Sequence, residues 1–367
     1  MTPNLFLTFL RHEWQRLVTV QKSDRPWQMP VAAALASGLP LLVGCAFGHL
    51  EYGLISSLGG MVFLNLPATP MHHRMVTLMA ASFAMTASYA LGVLSHLFPP
   101  MMMVALTFTA VLVTMLTRYY RMGPPGGAFF IMAAAIGAYS PCAVLEIPLK
   151  TGLIFLGCLL ATLVAFFYSL VILRKQPSQP AAPLPPATFD YVIFDAVIIG
   201  GFIGLTLFCA QFLQLEKAYW APVSCLVVIQ GASMRAIWEK QFHRVLGTGV
   251  GLLVAWGLLS LPFNAWSLSF AMMALAFIVE TAVVRHYGFA AIFITPMTIL
   301  LAEAAHLTPD NVAPLIEARF FDTLLGCVMG LIGGFCLHSP RFRASVGGWM
   351  RHVIPQRLRS LPSRGDR

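Results

Sequence analysis

The chain has 367 residues, of which 58% are hydrophobic and only 10% charged, with a formal net charge of +9. Mean hydropathy is +0.77, whereas a water-soluble domain is usually about a quarter charged. A soluble enzyme is therefore excluded. A nucleic-acid binder is disfavoured because the Lys and Arg residues sit between apolar blocks and at the termini rather than in one basic patch.

Residues 1–29 hold Arg11, Glu13, Arg16, Lys22 and Arg25 around a short apolar patch, with no small-residue cleavage site. "NLFLTFLRHEWQRLV" reads as a cytoplasmic amphipathic segment, not a signal peptide. Twelve apolar blocks follow, centred near 31–48, 53–69, 75–97, 101–117, 124–141, 150–173, 191–213, 218–231, 243–261, 266–283, 287–304 and 319–338. Most approach the ~20 residues that cross a bilayer, and they lack the alternation of outer-membrane strands. The expected fold is an all-α polytopic membrane protein with about twelve transmembrane helices.

Between the sixth and seventh blocks lies the Pro-rich "RKQPSQPAAPLPPATFD", a semi-rigid linker. It divides the chain into a first repeat at 30–173, a linker at 174–190, a second repeat at 191–338 and a basic cytoplasmic tail at 339–367. The halves resemble each other. "HLEYGLISSLGGMVFLN" (49–65) answers "QLEKAYWAPVSCLVVIQ" (214–230), and His73-Arg74 answers His243-Arg244. Leu-Gly-Cys at 156–158 answers Leu-Gly-Cys at 325–327, with all offsets between 165 and 170 residues. A consistent, drifting offset is the mark of a diverged duplication. Six helices per half make the repeats parallel, related by a pseudo-two-fold axis along the membrane normal. With the N-terminus inside, 20 of the 23 Lys and Arg fall on the cytoplasmic side, and only Lys150, Lys217 and Arg319 fall outside. That bias puts both termini in the cytoplasm.

Candidate site residues cluster at the inner ends of the helices. In "RMGPPGGAFFIMAAAIGAYSP", Pro124 and Pro125 suit a first helical turn. Arg118, Arg121, Gly126 and Gly127 would then place charge and free N–H groups before a small anion. The alternative is a tight turn whose arginines only orient the helix. Its counterpart "RHYGFAAIFITPMTILLAE" opens with Arg285 and carries Pro296. Arg235, Lys240 and Arg244 form a second cluster, answered by Arg74. Across a pseudo-two-fold axis Arg74 and Arg244 would face each other in a positive ring that attracts carboxylates. Asp195 and Glu280 lie within apolar runs and are candidates for proton coupling, and Asp322 lies one turn after Arg319, where the two could pair. None of the seven cysteines forms a CxxC, the histidines show no HxxxH spacing, and His72-His73 reads as a loop feature. No metal site, cofactor site or nucleophile–base pair is expected.

"GPPGGAFFIMAAAIGAYSP", "YWAPVSCLVVIQGASMRAIWEKQFHRVLGTGVG" and "RHYGFAAIFITPMTILLAE" with "RFFDTLLGCVMGLIGG" resemble the FUSC family. That family joins fusaric-acid-resistance proteins and bacterial aromatic acid exporters, and is distantly similar to plant aluminium-activated malate channels. The resemblance covers most of 30–338 and is sharpest at 219–251. It implies export of small organic or aromatic carboxylates across the inner membrane, driven by the proton gradient, either alone or with a periplasmic adaptor protein as a partner. Many relatives carry a soluble cytoplasmic portion, where this chain has only a short linker and a basic tail. A passive anion channel and a non-transporting scaffold subunit are the competing expectations.

Overall fold

A computed structural model describes residues 19–23, 25–181, 188–304 and 312–353. The amphipathic segment expected at the N-terminus, the centre of the linker and the last stretch of the tail lie outside the described residues. Helices account for all the regular structure among those described, and twelve of them fall on the twelve apolar blocks. The first six are α1 (Gln28–Ala46), α2 (Leu50–Gly60), α3 (Met71–His96), α4 (Pro99–Tyr119), α5 (Ala128–Ala138) and α6 (Ile147–Lys175). After the linker come α7 (Asp195–Phe212), α8 (Trp220–Ile229), α9 (Met234–Leu259), α10 (Ala265–Val283), α11 (Tyr287–Glu303) and α12 (Val312–His338). A further helix, α13 (Pro340–Val353), lies in what the sequence presents only as a basic tail.

Eight of these helices, and not twelve, are long and apolar enough to cross a bilayer: α1, α3, α4, α6, α7, α9, α10 and α12. The others are shorter, with 11 residues in α2, 11 in α5, 10 in α8 and 17 in α11. At 1.5 Å per residue, ten or eleven residues reach about 16 Å, half the ~30 Å hydrocarbon core. Their limits have local causes. α2 gives way after Gly59-Gly60 to a 3₁₀ turn at Met61–Asn65. α5 starts only at Ala128, because Pro124-Pro125 and Gly126 (φ 59°) form the turn before it. The two prolines are thus outside the helix rather than in its first turn.

Two other starts also move. The Ser233 side chain caps α9 by accepting from the Ala236 N–H at 3.2 Å, so the helix begins at Met234 instead of 243 and takes Arg235, Lys240 and Arg244 onto one element. α12 begins at Val312, which places Arg319 and Asp322 two to three turns inside it.

Polar contacts sort the helix ends onto two faces. On one, Arg25 meets Glu280, Arg118 meets Asp195, the Gln179 N–H donates to Ala68 O and the Gln21 N–H donates to Arg285 O. We call this the linker face. On the opposite face, Cys45 meets Ser269, His96 meets Ala138 O and Gln211 meets Tyr139. Successive helices therefore run up and down between the faces.

Packing repeats between the halves. α2 lies on α6 as α8 lies on α12, α3 on α5 as α9 on α11, and α4 on α7 as α10 on α1. Small residues permit these approaches. A Cβ on Gly157 of α6 would collide with the Ser56 carbonyl, and one on Gly326 of α12 with the Ala221 carbonyl. Most helical Ser and Thr hydroxyls donate back to their own helix, as Thr86 does to Ser82 O and Thr206 to Phe202 O. Hydroxyls so bonded can face apolar neighbours without cost, whereas those of Thr109, Thr114, Thr151 and Thr248 are buried without a partner among the described residues.

Candidate functional site

A cavity of about 760 Å³ runs between the halves. It reaches the linker face at the exposed Pro124 and at Arg25, and extends inward to Trp220, Thr298 and Arg319. Its walls are largely Met, Leu, Val and small residues, among them Gly60, Met61, Gly127, Met132, Met272 and Met297. Val113 touches the site where a Gly127 Cβ would stand, so a glycine there lets α4 close against the start of α5.

Five cationic side chains line the cavity, Arg25, Arg118, Lys240, Arg244 and Arg319, against one carboxylate, Glu280. At the mouth the charges are paired. Arg25 meets Glu280 at 3.3 Å, and Asp195, just outside the lining, is held by Arg118 at 2.6 Å and by Arg343 of α13 at 2.7 Å. Arg118 also lies over the Tyr191 ring, 4.6 Å from its centroid.

Deeper in, no ion pair among the described residues involves Lys240, Arg244 or Arg319. Arg244 is 4% exposed, gives one long hydrogen bond to Ser224 Oγ at 3.4 Å and leaves Nε without an acceptor. The Tyr287 hydroxyl beside it is also unsatisfied. Arg319 is fully buried, donates to Thr298 Oγ1 at 3.0 Å and stacks on Trp220 at 3.4 Å from the ring centroid. Its Nε and Nη1 have no acceptor. Burying a cation without a partner costs several kcal/mol. Two such guanidinium groups in one cavity are a preformed set of donors for an anion that completes them.

The end of the cavity opposite the mouth is closed. Beyond Arg319 and Trp220, Tyr219 packs against both Trp220 and Tyr139, with ring centroids 4.9 and 5.5 Å apart. Glu303 accepts from the Tyr219 hydroxyl at 2.6 Å and from Lys217 at 2.9 Å.

Of the residues marked from sequence, the structure brings Arg118, Gly126, Gly127, Lys240, Arg244 and Glu280 to the cavity. It does not bring Arg74, Arg121, Arg235, Arg285 or Asp195 to the wall. Arg74 is 6% exposed and bonds within the first half, Nε to Thr69 O at 2.7 Å and Nη1 to Ser169 Oγ at 3.2 Å. Arg121 is exposed, with φ 48° in the turn before α5. Arg235 pairs with Glu239 one turn along α9, and Arg285 is exposed at the end of α10. Among the described residues Asp322 has no hydrogen bond and no ion pair, not even with Arg319.

Arg319, Trp220 and Tyr287 are absent from the site residues expected from sequence. The sequence signal for Arg319 was present but weak: "VAPLIEA" before it keeps an apolar helical spacing that extends α12 outward. A count of charges between blocks instead treats this arginine as a loop residue.

Residues 202–333 match a family model described as fusaric acid resistance protein-like, a stretch that contains Trp220, Lys240, Arg244, Tyr287, Thr298 and Arg319. The chain is also 20% identical to an uncharacterized membrane protein, YvaC of Bacillus subtilis (strain 168), over 476 aligned positions covering 90% of this chain and 75% of that one. No solved structure matches. Over residues 202–333 the chain is thus similar to fusaric acid resistance-like proteins, and over most of its length to a bacterial membrane protein.

Proposed function

We infer that this chain is a FUSC-family membrane protein that exports small organic anions, aromatic carboxylates among them, across the inner membrane, and that the cavity is its binding site. One observation carries this reading: Lys240, Arg244 and Arg319 line the cavity without a carboxylate partner. A small carboxylate would supply the acceptors these groups lack, in a water-poor site where charge-assisted hydrogen bonds are strong. The methionine-lined walls and the Trp220 ring suit the apolar body of such a solute.

The matched packing of the halves supports two six-helix repeats about a pseudo-two-fold axis. In that reading α2, α5, α8 and α11 are half-depth helices at the repeat interface, as interrupted helices are in other transporters. The linker face, rich in Arg and Lys, is cytoplasmic, so the cavity opens inward. Closure beyond Arg319 and Trp220 favours a carrier that alternates between faces over a permanently open channel.

The test is flux of radiolabelled benzoate from liposomes containing the purified protein. Saturable flux that accelerates under an imposed pH gradient is expected; flux indifferent to the gradient would make the protein a passive channel. Folded, monodisperse protein that neither binds nor moves benzoate or any related aromatic carboxylate would overturn the assignment.

A further inference from the structure

Four carboxylates are buried among the described residues: Asp195, Glu280, Glu303 and Asp322. Three are satisfied. Asp195 has two arginines, Glu280 has Arg25, and Glu303 has Lys217 and the Tyr219 hydroxyl. Asp322 differs, being fully buried with neither oxygen hydrogen-bonded. Its nearest cation along the helix is Arg319, one turn earlier, whose guanidinium is turned instead to Thr298 and Trp220. A carboxylate ion stripped of water and of partners is far costlier than the neutral acid. The pairing that would satisfy it, Arg319 with Asp322 at i, i+3, is within reach of a side-chain rearrangement.

We propose that Asp322 is held as the neutral acid while Arg319 is stacked on Trp220, and that its ionisation draws Arg319 off the ring to release the bound anion. This rests on the anion-binding reading of the cavity and deepens it by assigning the proton site. Two arrangements of one guanidinium are involved. In the first, Arg319 faces the cavity, Asp322 keeps its proton, and an anion is held by Arg319 and Arg244. In the second, the Asp322 proton has passed to water on the far face, the Asp322 carboxylate pairs with Arg319, and the anion has lost one of its two guanidinium partners. Anion and proton thus leave together on the far face, so this step exports the neutral pair and is accelerated by an acidic interior rather than by proton entry.

The surroundings fit this assignment. α12 packs on α7, α8, α9 and α13. The charged or titratable groups around the pair are Arg244 from α9, Tyr219 before α8, Glu303 from α11 and Tyr139 after α5. Cys225 of α8 and Cys327 of α12 are buried thiols nearby. Asp195 of α7 and Arg343 of α13 are engaged with each other on the linker face. Tyr139, half-buried on the far face and bonded to the exposed Gln211, interacts electrostatically with Asp322, which offers the proton a polar way out.

The first experiment is infrared spectroscopy of the purified protein in lipid at neutral pH. The carbonyl stretch of a buried neutral carboxylic acid is expected in the wild type and absent in Asp322→Asn. The same band in Asp322→Asn overturns the proposal, and this readout does not depend on any ligand.

The second is benzoate titration in weakly buffered solution with a pH-indicating dye. Wild type is expected to take up protons on binding and to lose affinity by as much as about tenfold per pH unit once Asp322 ionises. Asp322→Asn should bind benzoate with neither proton uptake nor pH dependence, and Asp322→Glu should restore both. Proton uptake by Asp322→Asn equal to wild type sinks the coupling. Failure of benzoate to bind the wild type at all would instead count against the transport reading, leaving the infrared band to decide the state of Asp322.

Discussion

Arg74 and Arg244 each follow a histidine on the third helix of their halves, Arg74 in the first turn of α3 and Arg244 almost three turns into α9, and they are 6% and 4% exposed. Their surroundings nevertheless differ in kind. Arg74 is satisfied by a carbonyl and a hydroxyl of its own half. Arg244 lines the cavity with an idle Nε, next to a second under-satisfied arginine. The contrast extends to the whole halves. To the deep part of the cavity the first contributes mainly small and apolar residues such as Ser57, Gly60 and Met61, whereas the second contributes Trp220, Lys240, Arg244, Tyr287 and Arg319. Packing is matched between the halves while charge is not. In the proposed reading both halves must pack, but one anion site needs its donors only once.

The comparison breaks most directly at the two arginines. Arg244→Ala should lower benzoate affinity about thirtyfold, the scale of removing a buried charge-assisted partner, with the unfolding temperature little changed. Arg74→Ala should do the reverse, lowering the unfolding temperature by several degrees while affinity stays within about twofold. Equal losses of affinity in binding titrations of the two variants would mean that the halves share the site symmetrically.

The packing side of the comparison is tested by Gly157→Ala and Gly326→Ala. Each places a methyl against a backbone carbonyl of the facing helix, and each should cost about 1–3 kcal/mol in equilibrium unfolding. A large effect at one glycine and none at the other would end the parallel. Trp220→Ala comes next. Loss of the ring under Arg319 should reduce benzoate affinity about tenfold in the same titration, the upper range of a desolvated cation–π contact. Smallest is Arg121→Gly, which relieves a left-handed backbone in an exposed turn. It should leave affinity unchanged and raise stability by less than ~1 kcal/mol in thermal scans.

Helix positions were legible because apolar blocks and the Pro-rich linker are properties of local composition. What composition does not encode is depth. α2, α5, α8 and α11 carry Gly, Ser or Pro interruptions in sequence yet count among the twelve expected spans, and Gly59-Gly60, the Pro124–Gly127 turn and the bounds of Trp220–Ile229 cut three of them to ten or eleven residues. The site was half legible. Arg244, Arg118 and the Pro-Gly turn stand out because charges and helix breakers are rare here. Arg319 did not, because its place depends on which groups fail to meet it, and a missing partner is a three-dimensional fact. The same holds for Asp195, Glu280 and Asp322. In sequence all three are acids in apolar runs, and only packing shows that two are matched with arginine and one is not.

The Asp195 node also bears on the order of biosynthesis. Its carboxylate meets Arg118, already made when Asp195 emerges, and Arg343, translated 148 residues later. Until α13 arrives, one oxygen of Asp195 lacks its guanidinium, and the π turn at Asp190–Phe194 lacks the Arg343 contact over Phe194. The joint between the linker and the second half is thus completed only after α12 is in place. A chain halted before Arg343 would carry an under-neutralised acid at the very point where its halves meet, a mark by which quality control could tell unfinished molecules from finished ones.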